Sequence, residues 1–286
     1  MVRKPKLGVA LSGGGARGIT HIGVLKALAA HNIEIDYLAG TSMGGVIAAA
    51  LAAGNSPEDI EEVALNFKNT RELLKLVDPG IPGAGIFQGE QLLKFFTKYF
   101  GDLRFDQLEI PLGLVAVDIK QGEEIHILEG SINRALRATV SVPGLIAPVD
   151  DGEQRLVDGG LLNNLPVDLA YEMGADLVIA VDVMAATTDE SYWHILGNKR
   201  ILPGKIGGMV TVLGDSLNLL IQQQNKMKLE QNPPTFLLEP NVSQEISIVS
   251  GFHRVDEMVS EGFAVTEQIV DQLKSQLHLA AADFKA

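Results

Sequence analysis

The amino-acid sequence predicts an α/β fold with a parallel or mixed sheet that is covered by helices on both faces. Three observations support this fold class. Short apolar runs alternate with segments of helical periodicity along the chain. The run at 176–183 is apolar almost throughout, which is typical of a strand buried on both faces of its sheet. With 286 residues, of which 46% are hydrophobic, the chain is long enough to bury one large α/β core.

The first part of the chain predicts two strand–helix units in succession. Residues 7–11 form a short strand, and after a glycine-rich loop a helix extends from about 19 to 30. A second strand at 36–40 leads into Gly-Thr-Ser-Met-Gly, and the apolar residues 46–53 are typical of a buried helix. The next helix begins after Ser56, because a Ser cap followed by Pro and two acids is a strong start signal.

The later elements continue this alternation. We expect a helix at 89–99, strands at 112–119 and 124–128, a helix at 132–139, a strand ending at Val157, and strands at 176–183 and 235–238. Residues 206–229 predict a long helix with one apolar face, for which packing on the sheet, a lid, a dimer interface and a membrane-contacting surface are the alternatives. The acid- and amide-rich stretch 187–198 predicts a loop. We therefore expect one domain over the whole chain, with a catalytic core at about 6–183 and a mostly helical extension at about 184–286.

The composition excludes several classes of protein. The formal net charge of −13 argues against nucleic-acid binding and against simple electrostatic docking on anionic membranes. Without cysteine the chain has no disulfide, no thiolate metal site and no cysteine nucleophile. Its longest apolar stretch, 46–53, is far shorter than the ~20 residues that span a bilayer, and the N-terminal apolar run is too short for a signal peptide. We expect a soluble, cytoplasmic protein.

Residues 40–44, Gly-Thr-Ser-Met-Gly, are the most informative segment of the sequence. They place Ser42 between two glycines at the point where a strand passes into a buried helix. A serine on such a corner projects from the top of the sheet, and its neighbours must be small for the turn to close. Gly40 and Gly44 thus have a steric role and Ser42 a chemical one. A glycine-rich turn with an N-capping serine is the alternative interpretation.

A glycine loop follows the first strand. Residues 12–18, Ser-Gly-Gly-Gly-Ala-Arg-Gly, match G-x-G-x-x-G at Gly13, Gly15 and Gly18, and Asp36 lies at the distance expected of a dinucleotide site. The same backbone amides form a nest for any anionic oxygen, including the oxyanion of a tetrahedral intermediate. The serine corner downstream favours the oxyanion hole, because an acyl hydrolase needs both parts and a dinucleotide enzyme does not.

A serine nucleophile needs a base, and histidine is the usual one. His21, on the helix after the glycine loop, is the nearest candidate, and three others fall in the chain order of an α/β-hydrolase triad: His194, His253 and His278. None of them lies in a motif. Asp158 offers a second option, because it follows a strand and precedes two glycines, which leaves free space around its carboxylate. An Asp-Gly turn explains the same pattern.

Four short motifs, in this order, carry a resemblance to a known family. They are Gly-Gly-Gly-Ala-Arg-Gly at 13–18, Gly-Thr-Ser-Met-Gly at 40–44, Ala-Thr-Val-Ser-Val-Pro at 138–143 and Asp-Gly-Gly at 158–160, with Asn-Asn-Leu-Pro following at 163–166. Together they resemble the patatin-like phospholipase family in its compact bacterial form. The resemblance covers about 6–183, and Ser12 stands where some relatives have an acid, which touches no catalytic role.

The resemblance implies an α/β/α sandwich with a mixed, mostly parallel central sheet, and a serine acyl hydrolase that acts on lipid esters. It implies a Ser–Asp dyad in which Ser42 is the nucleophile and Asp158 the base. The amides of Gly13–Gly15 are implied to form the oxyanion hole. Arg17, with Gly18, is implied to support the loop or to bind anionic head groups. Neither a metal nor an organic cofactor is implied.

Other functions stay open on the sequence. The same dyad supports an acyltransferase or a thioesterase, the glycine loop supports a nucleotide-binding module, and the fold supports a non-catalytic interaction module. As partners we expect a lipid or acyl-ester substrate and no nucleic acid. A transient contact with the inner face of a membrane and a homo-oligomer are compatible with the sequence. Residues 145–148 are a candidate wall for an acyl chain. The apolar side chains of the helix at 89–99 are another candidate wall, although ordinary core packing is the favoured role for Leu92, Phe95 and Phe96.

Overall fold

The computed structural model describes residues 4–78, 85–185, 204–243, 245–246 and 250–283. The predicted loop at 187–198 lies outside the described residues. Within them, eight strands form one sheet: β1 (Leu7–Leu11), β2 (Tyr37–Thr41), β3 (Leu112–Asp118), β4 (Glu123–Ile127), β5 (Val149–Asp151), β6 (Gln154–Asp158), β7 (Leu177–Val181) and β8 (Phe236–Leu238). The α-helices described are α1 (Thr20–Ala30), α2 (Ser42–Ala52), α3 (Pro57–Asn66), α4 (Thr70–Lys75), α5 (Glu90–Phe100), α6 (Ile132–Thr139), α7 (Val167–Glu172), α8 (Gly204–Gln231), α9 (Val255–Glu267) and α10 (Val270–Asp283).

The central sheet is mixed and mostly parallel, which confirms the predicted sheet type. Its strand order is β5-β6-β3-β2-β1-β7-β8, and β4 pairs with β3 beside this path. The pairs β1–β2, β1–β7, β2–β3 and β7–β8 are parallel, whereas β4, β5 and β6 join by antiparallel pairing. Because β1 and β2 are parallel neighbours, the loops that follow them meet at the same edge of the sheet, where open α/β sheets bind ligands.

Helices cover both faces of the sheet. Val9 and Leu11 of β1 belong to one hydrophobic core together with residues of α1, α2 and α9, whereas Ala10 belongs to a second core with α7. Successive side chains of a strand point to opposite faces, so these two cores lie on opposite sides of the sheet. The predicted three-layer α/β/α arrangement is confirmed.

Local sequence signals explain where several elements begin and end. α3 begins at Pro57 as predicted, because Ser56 Oγ accepts the Asp59 N–H (3.1 Å) and the Asp59 carboxylate accepts the Ser56 N–H (3.0 Å). β7 ends at Val181, two residues earlier than predicted, because the Asp182 carboxylate accepts the Met184 N–H (2.9 Å) and turns the chain. The residues that follow β7 are thereby directed towards the carboxyl edge of the sheet.

The chain after residue 184 contributes to both the sheet and the core. β8 extends the sheet beside β7, and α9 packs across α1. Gly23 on α1 and Gly262 on α9 lie at the crossing, where a Cβ on either glycine would overlap a backbone oxygen of the other helix, that of Val259 or of Thr20. The two helices approach this closely only because neither glycine carries a side chain.

Replacing Gly262 by alanine is expected to lower the free energy of unfolding by about 1–3 kcal/mol, because the new methyl group has to push α1 and α9 apart. Chemical denaturation measures the loss. Ser260→Ala, on the exposed face of the same helix, is the control and should change this free energy by less than about 0.5 kcal/mol. Unchanged stability of the Gly262→Ala protein would contradict the close crossing.

Candidate active site

Ser42 lies on a strained turn between β2 and α2. Its φ angle is 53°, in the left-handed region that residues other than glycine seldom adopt. A Cβ on Gly40 would lie 2.6 Å from the Cα of Gly45, and a Cβ on Gly44 would overlap the carbonyl oxygen of Leu11. Both positions therefore admit only glycine, and the turn closes tightly around the serine.

Hydrogen bonds hold this turn from two neighbouring segments. The Ser42 N–H donates to Thr139 Oγ1 (2.9 Å), and the Thr139 hydroxyl donates in turn to the Val115 carbonyl on β3 (2.6 Å). On the other side, the Thr41 hydroxyl donates to the Asn163 carbonyl (2.8 Å). Thr139 belongs to the Ala-Thr-Val-Ser-Val-Pro motif, to which the sequence alone gave no mechanical role. Here it fixes the backbone of Ser42.

Asp158 ends β6, and its carboxylate lies close to the Ser42 side chain. The residue is 6% exposed, and its carboxylate accepts the Gly160 N–H (2.8 Å). Its own N–H donates to the Ser141 carbonyl (3.0 Å). Burial raises the pKa of Asp158 from 3.8 to about 6, against the opposing effects of the Ser42 side chain and the Gly160 N–H. The fold thus brings together two residues that lie 116 positions apart.

Two of the three glycines whose amides are predicted oxyanion donors lie beside Ser42 and Asp158. Gly14 and Gly15 line a cleft together with Ser42. Gly13 differs, because its N–H donates to the Asn164 carbonyl (3.1 Å) and a Cβ there would lie 2.5 Å from Asn164 Oδ1. The expectation that Gly13 supplies an oxyanion donor is therefore wrong. Its amide and its missing side chain serve close packing against the segment that follows Asp158.

Arg17 supports this loop from inside the protein. It is 0% exposed. Its guanidinium donates to four backbone carbonyls, those of Val183, Val242, Ser243 and Ile246. A fully buried side chain cannot reach an anionic head group, so the head-group alternative for Arg17 is wrong, and the contacts fit loop support. Gly18 packs on the serine turn, since a Cβ there would lie 2.5 Å from Met43 Cγ.

In the described part of the chain no histidine side chain occupies the position of a base. His21 is buried with Nε2 2.8 Å from the Ser12 carbonyl oxygen, and burial lowers the pKa of His21 to about 4. Of the others, two contact glutamate side chains (His31 and His126), one is exposed (His253), and two lie wholly or with their side chains outside the described residues (His194 and His278).

The dinucleotide interpretation of the glycine loop conflicts with the position of Asp36. This residue precedes β2 at the amino edge of the sheet, where its carboxylate accepts the Leu7 N–H (2.8 Å). The glycine loop follows the carboxyl end of β1, at the opposite edge. A ribose bound at the loop would therefore not meet this carboxylate. Within the described ranges, no group of three or more His, Cys, Asp or Glu side chains is placed to hold a metal ion.

A cleft that is open at its mouth contains Ser42 and Asp158. Its apolar walls are Val142, Pro143, Leu161, Met184, Leu217 and Ile221, and Asn164 and Asn218 add polar groups. Three of these residues come from α8, which forms one side of the cleft. The walls expected at 145–148 and on α5 are wrong, because Leu145, Ala147 and Phe96 are buried in the core.

α8, which includes the predicted helix at 206–229, presents two different apolar surfaces. Leu217 and Ile221 line the cleft, whereas Leu213 and Leu220 are 53% and 55% exposed. The single apolar face that the sequence predicts for this helix is therefore divided between the cleft and the exposed surface. None of the helices in the described ranges combines the length and the apolar composition needed to cross a membrane.

A model of the patatin-like phospholipase family matches residues 9–171, a range that includes the glycine loop, Ser42 and Asp158. The chain belongs to this family. Among its patatin-like relatives is an uncharacterized NTE family protein of Mycobacterium tuberculosis, 38% identical over 181 residues, which are 63% of this chain and 49% of the relative. The chain therefore spans about half the length of this mycobacterial relative.

Two animal proteins contain a similar patatin-like region. Neuropathy target esterase sws of Drosophila melanogaster is 35% identical over 182 residues, covering 62% of this chain and 13% of the fly protein. Patatin-like phospholipase domain-containing protein 6 of Mus musculus is 35% identical over 181 residues, with the same shares.

Solved structures share the patatin-like fold at low sequence identity. VipD from Legionella pneumophila superposes with a TM-score of 0.55 at 17% identity, covering 94% of this chain and 67% of VipD. Human group IVD cytosolic phospholipase A2, in complex with methyl gamma-linolenyl fluorophosphonate, superposes with a TM-score of 0.53 at 12% identity, covering 98% of this chain and 60% of the human chain. These likenesses establish the fold alone.

Proposed function

We propose that this patatin-like protein is a serine acyl hydrolase that cleaves fatty-acyl ester bonds of lipids, with Ser42 as the nucleophile and Asp158 as the base. The observation that carries the proposal is that Ser42 and the buried Asp158 carboxylate share one cleft with apolar walls, where the Ser42 side chain lies close enough to Asp158 to lower its pKa. A weak nucleophile needs a base nearby, and this arrangement supports that role for Asp158. Membership of the family supports the same reaction class.

In the first half-reaction, Ser42 Oγ attacks the ester carbonyl carbon while its proton passes to Asp158. A pKa of about 6 makes Asp158 a stronger base than an exposed aspartate, yet leaves it ionised at neutral pH. The negative charge that develops on the carbonyl oxygen would be stabilised by the amides of Gly14 and Gly15, which border the cleft. The bond to the alcohol then breaks, the alcohol takes the proton from Asp158, and the acyl group stays on Ser42.

In the second half-reaction, water replaces the alcohol. Asp158 takes a proton from the water as its oxygen adds to the acyl carbonyl, and the same amides stabilise the second tetrahedral intermediate. The acyl–oxygen bond to Ser42 then breaks, Ser42 Oγ takes the proton back from Asp158, and the fatty acid leaves. The dyad is thereby restored for the next turnover.

The walls of the cleft support a fatty-acyl substrate. The apolar side chains that line the cleft include residues of the segment after α6, of the turn after β7 and of α8. Such a lining suits a hydrocarbon chain. Two of the relatives are named an esterase and a phospholipase domain-containing protein. Phospholipids are therefore the first substrates to assay, and transfer of the acyl group to a second alcohol, or hydrolysis of a thioester, is the closest alternative on the same dyad.

Labelling with a fluorophosphonate tests the proposal directly. Human cytosolic phospholipase A2, which shares the fold, forms a complex with such a compound. We expect the probe to add one phosphonyl group to Ser42, located by peptide mass spectrometry, and to abolish hydrolysis of a chromogenic fatty-acyl ester. A fully folded protein that takes no label at Ser42 and cleaves no ester would contradict the proposal.

A further inference from the structure

Two consecutive residues, Asn163 and Asn164, support both parts of the candidate site. The Asn163 carbonyl accepts the hydroxyl of Thr41, the residue directly before Ser42 (2.8 Å). The Asn164 carbonyl accepts the Gly13 N–H (3.1 Å). One short segment thus holds the serine turn on one side and the glycine loop on the other. A displacement of this segment would move the nucleophile and the glycine loop together.

A hydrogen-bonded ring of charged side chains holds Asn163 in turn. Asn163 is fully buried, and its Nδ2 donates to Glu124 Oε1 on β4 (2.7 Å) and to Asp168 Oδ1 on α7 (2.7 Å). The ammonium group of Lys228 on α8 donates to the second oxygen of each carboxylate, Glu124 Oε2 (2.8 Å) and Asp168 Oδ2 (2.6 Å). The amide, the two carboxylates and the ammonium group therefore close a ring that joins four segments of the chain.

The charge of Lys228 balances this ring. Glu124 and Asp168 place two like charges on one amide group, and such a pair repels unless a cation lies beside it. Although burial opposes the charge of Glu124, hydrogen bonds from the side chains of His126, Lys228 and Asn163 lower its pKa to about 2. His126 also contacts Glu124 (2.6 Å), whereas Lys228 joins both carboxylates. Loss of the Lys228 charge would therefore push the two acceptors of Asn163 apart.

We infer that Lys228 is a positioning residue for the reaction: its charge keeps both carboxylates on the Asn163 amide and thereby holds the serine turn and the glycine loop in register. The inference rests on the proposed hydrolase function. Lys228 is not part of the cleft lining, so it acts through Asn163 and not on the substrate. Because Lys228 also anchors α8, which forms one side of the cleft, the test has to separate the two roles.

Two esters of different length make this separation. Nitrophenyl acetate is too short to depend on the α8 wall, whereas nitrophenyl palmitate places a long chain along it. We expect Lys228→Met to lower kcat/KM for both esters by the same factor, about 10-fold to 100-fold, because a small misplacement of the nucleophile slows every substrate. Labelling of Ser42 by a short-chain fluorophosphonate should slow by a similar factor. A mere anchor of α8 would affect the palmitate ester alone.

Three further variants show whether the charge is responsible. Lys228→Arg keeps the cation and should retain kcat/KM within about threefold. Combining Lys228→Met with Glu124→Gln removes one charge of each sign and keeps an acceptor for the Asn163 amide, so we expect this double variant to recover to within about threefold of wild type. Lys226→Met removes an exposed ammonium group from the same helix and should leave both rates unchanged. Thermal melting shows which variants are folded.

Several results would overturn the inference without touching the proposed hydrolase function. They are unchanged rates in a folded Lys228→Met protein, a loss confined to the palmitate ester, and a double variant no faster than Lys228→Met. If Lys228→Met does not fold, the double variant decides: near-wild-type rates support the inference, and a folded but slow protein contradicts it. If the wild-type protein cleaves no ester and Ser42 takes no label, the proposed function fails, and this inference fails with it.

Discussion

Replacing Ser42 by alanine, or Asp158 by asparagine, is expected to lower kcat/KM for a fatty-acyl ester by at least about 10³-fold. Ser42→Ala removes the atom that we propose attacks the carbonyl. Asp158→Asn keeps the shape of the side chain and the acceptor for the Gly160 N–H, but an amide cannot take the serine proton. Because the two residues act as one unit, the double variant should be no slower than the single Ser42→Ala protein.

Matched controls separate this chemistry from general effects of substitution. Ser260→Ala and Asp150→Asn remove the same groups from exposed positions, and both variants should keep the wild-type rate within about twofold. Melting temperatures show that all five variants are folded. An Asp158→Asn protein with near-wild-type activity would contradict the role of Asp158 as base, whereas an active Ser42→Ala protein would contradict the whole dyad.

The elements around the candidate site could be predicted because strong local signals determine them. β1, α1 and β2 lie within a residue or two of the expected positions, and the capping signal at Ser56 marks the start of α3. α2 begins four residues earlier than the sequence indicates, at Ser42. Two glycines there are poor helix formers, but they are held in the helix by tertiary contacts, Gly44 against Leu11 and Gly45 against the Leu114 side chain.

Elements that depend on pairing with distant segments were not predictable. β5 consists of Val149–Asp151, two of whose three residues are acids that seldom occur in strands, and it exists because it pairs with β6. α7 is six residues long and follows Pro166, too short for helical periodicity to be detected. The segments that form α4, α9 and α10 likewise carry no individual helix prediction.

The candidate site likewise has some features that the sequence predicts and others that it does not. Ser42 and Asp158 are conspicuous because adjacent glycines mark the tight turns on which they lie. The hydrogen bond of the Gly13 amide cannot be predicted from the sequence, because its acceptor is the carbonyl of Asn164, 151 positions further along the chain. The sequence predicts α8 as a helix but not which of its sides lines the cleft, because apolar residues occur on more than one side: Leu217 lines the cleft and Leu220 is exposed. Periodicity alone could not select its inward face.

The pH dependence of hydrolysis is expected to follow the ionisation of Asp158. The carboxyl group must be ionised to accept the serine proton, and its pKa in the folded protein is about 6. We therefore expect kcat/KM to rise about tenfold per pH unit below that value and to level off above it, which is a loss of about 100-fold at pH 4. A pH profile measured with a chromogenic ester, whose own reactivity is flat in this range, gives the result. A midpoint near 4 would contradict the raised pKa.

The same pKa predicts that the dyad destabilises the folded protein at neutral pH. Folding raises the pKa of Asp158 from 3.8 to about 6, so the native state binds the proton more tightly than the unfolded chain does. The contribution of Asp158 to the free energy of unfolding is therefore fully present below pH 3.8. It falls as the pH rises towards 6 and stays low above pH 6. A shift of about two units corresponds to about 3 kcal/mol, which Asp158→Asn should recover at pH 8 because an amide needs no ionisation.

The comparison that decides this point is the difference in unfolding free energy between Asp158→Asn and wild type at two pH values. At pH 8 the variant should be more stable by about 2–3 kcal/mol, and the gain should shrink as the pH falls towards 4, where wild-type Asp158 is protonated in the folded protein. Because other titrating groups are the same in both proteins, their contributions cancel in the difference. A gain that does not change with pH would reflect packing alone, whereas a loss at both pH values would mean that the carboxylate is better solvated than its burial implies. The expected result would mean that the inactive variant is the more stable protein, because the low polarity that suits Asp158 to its proposed role as base also opposes its charge in the folded state.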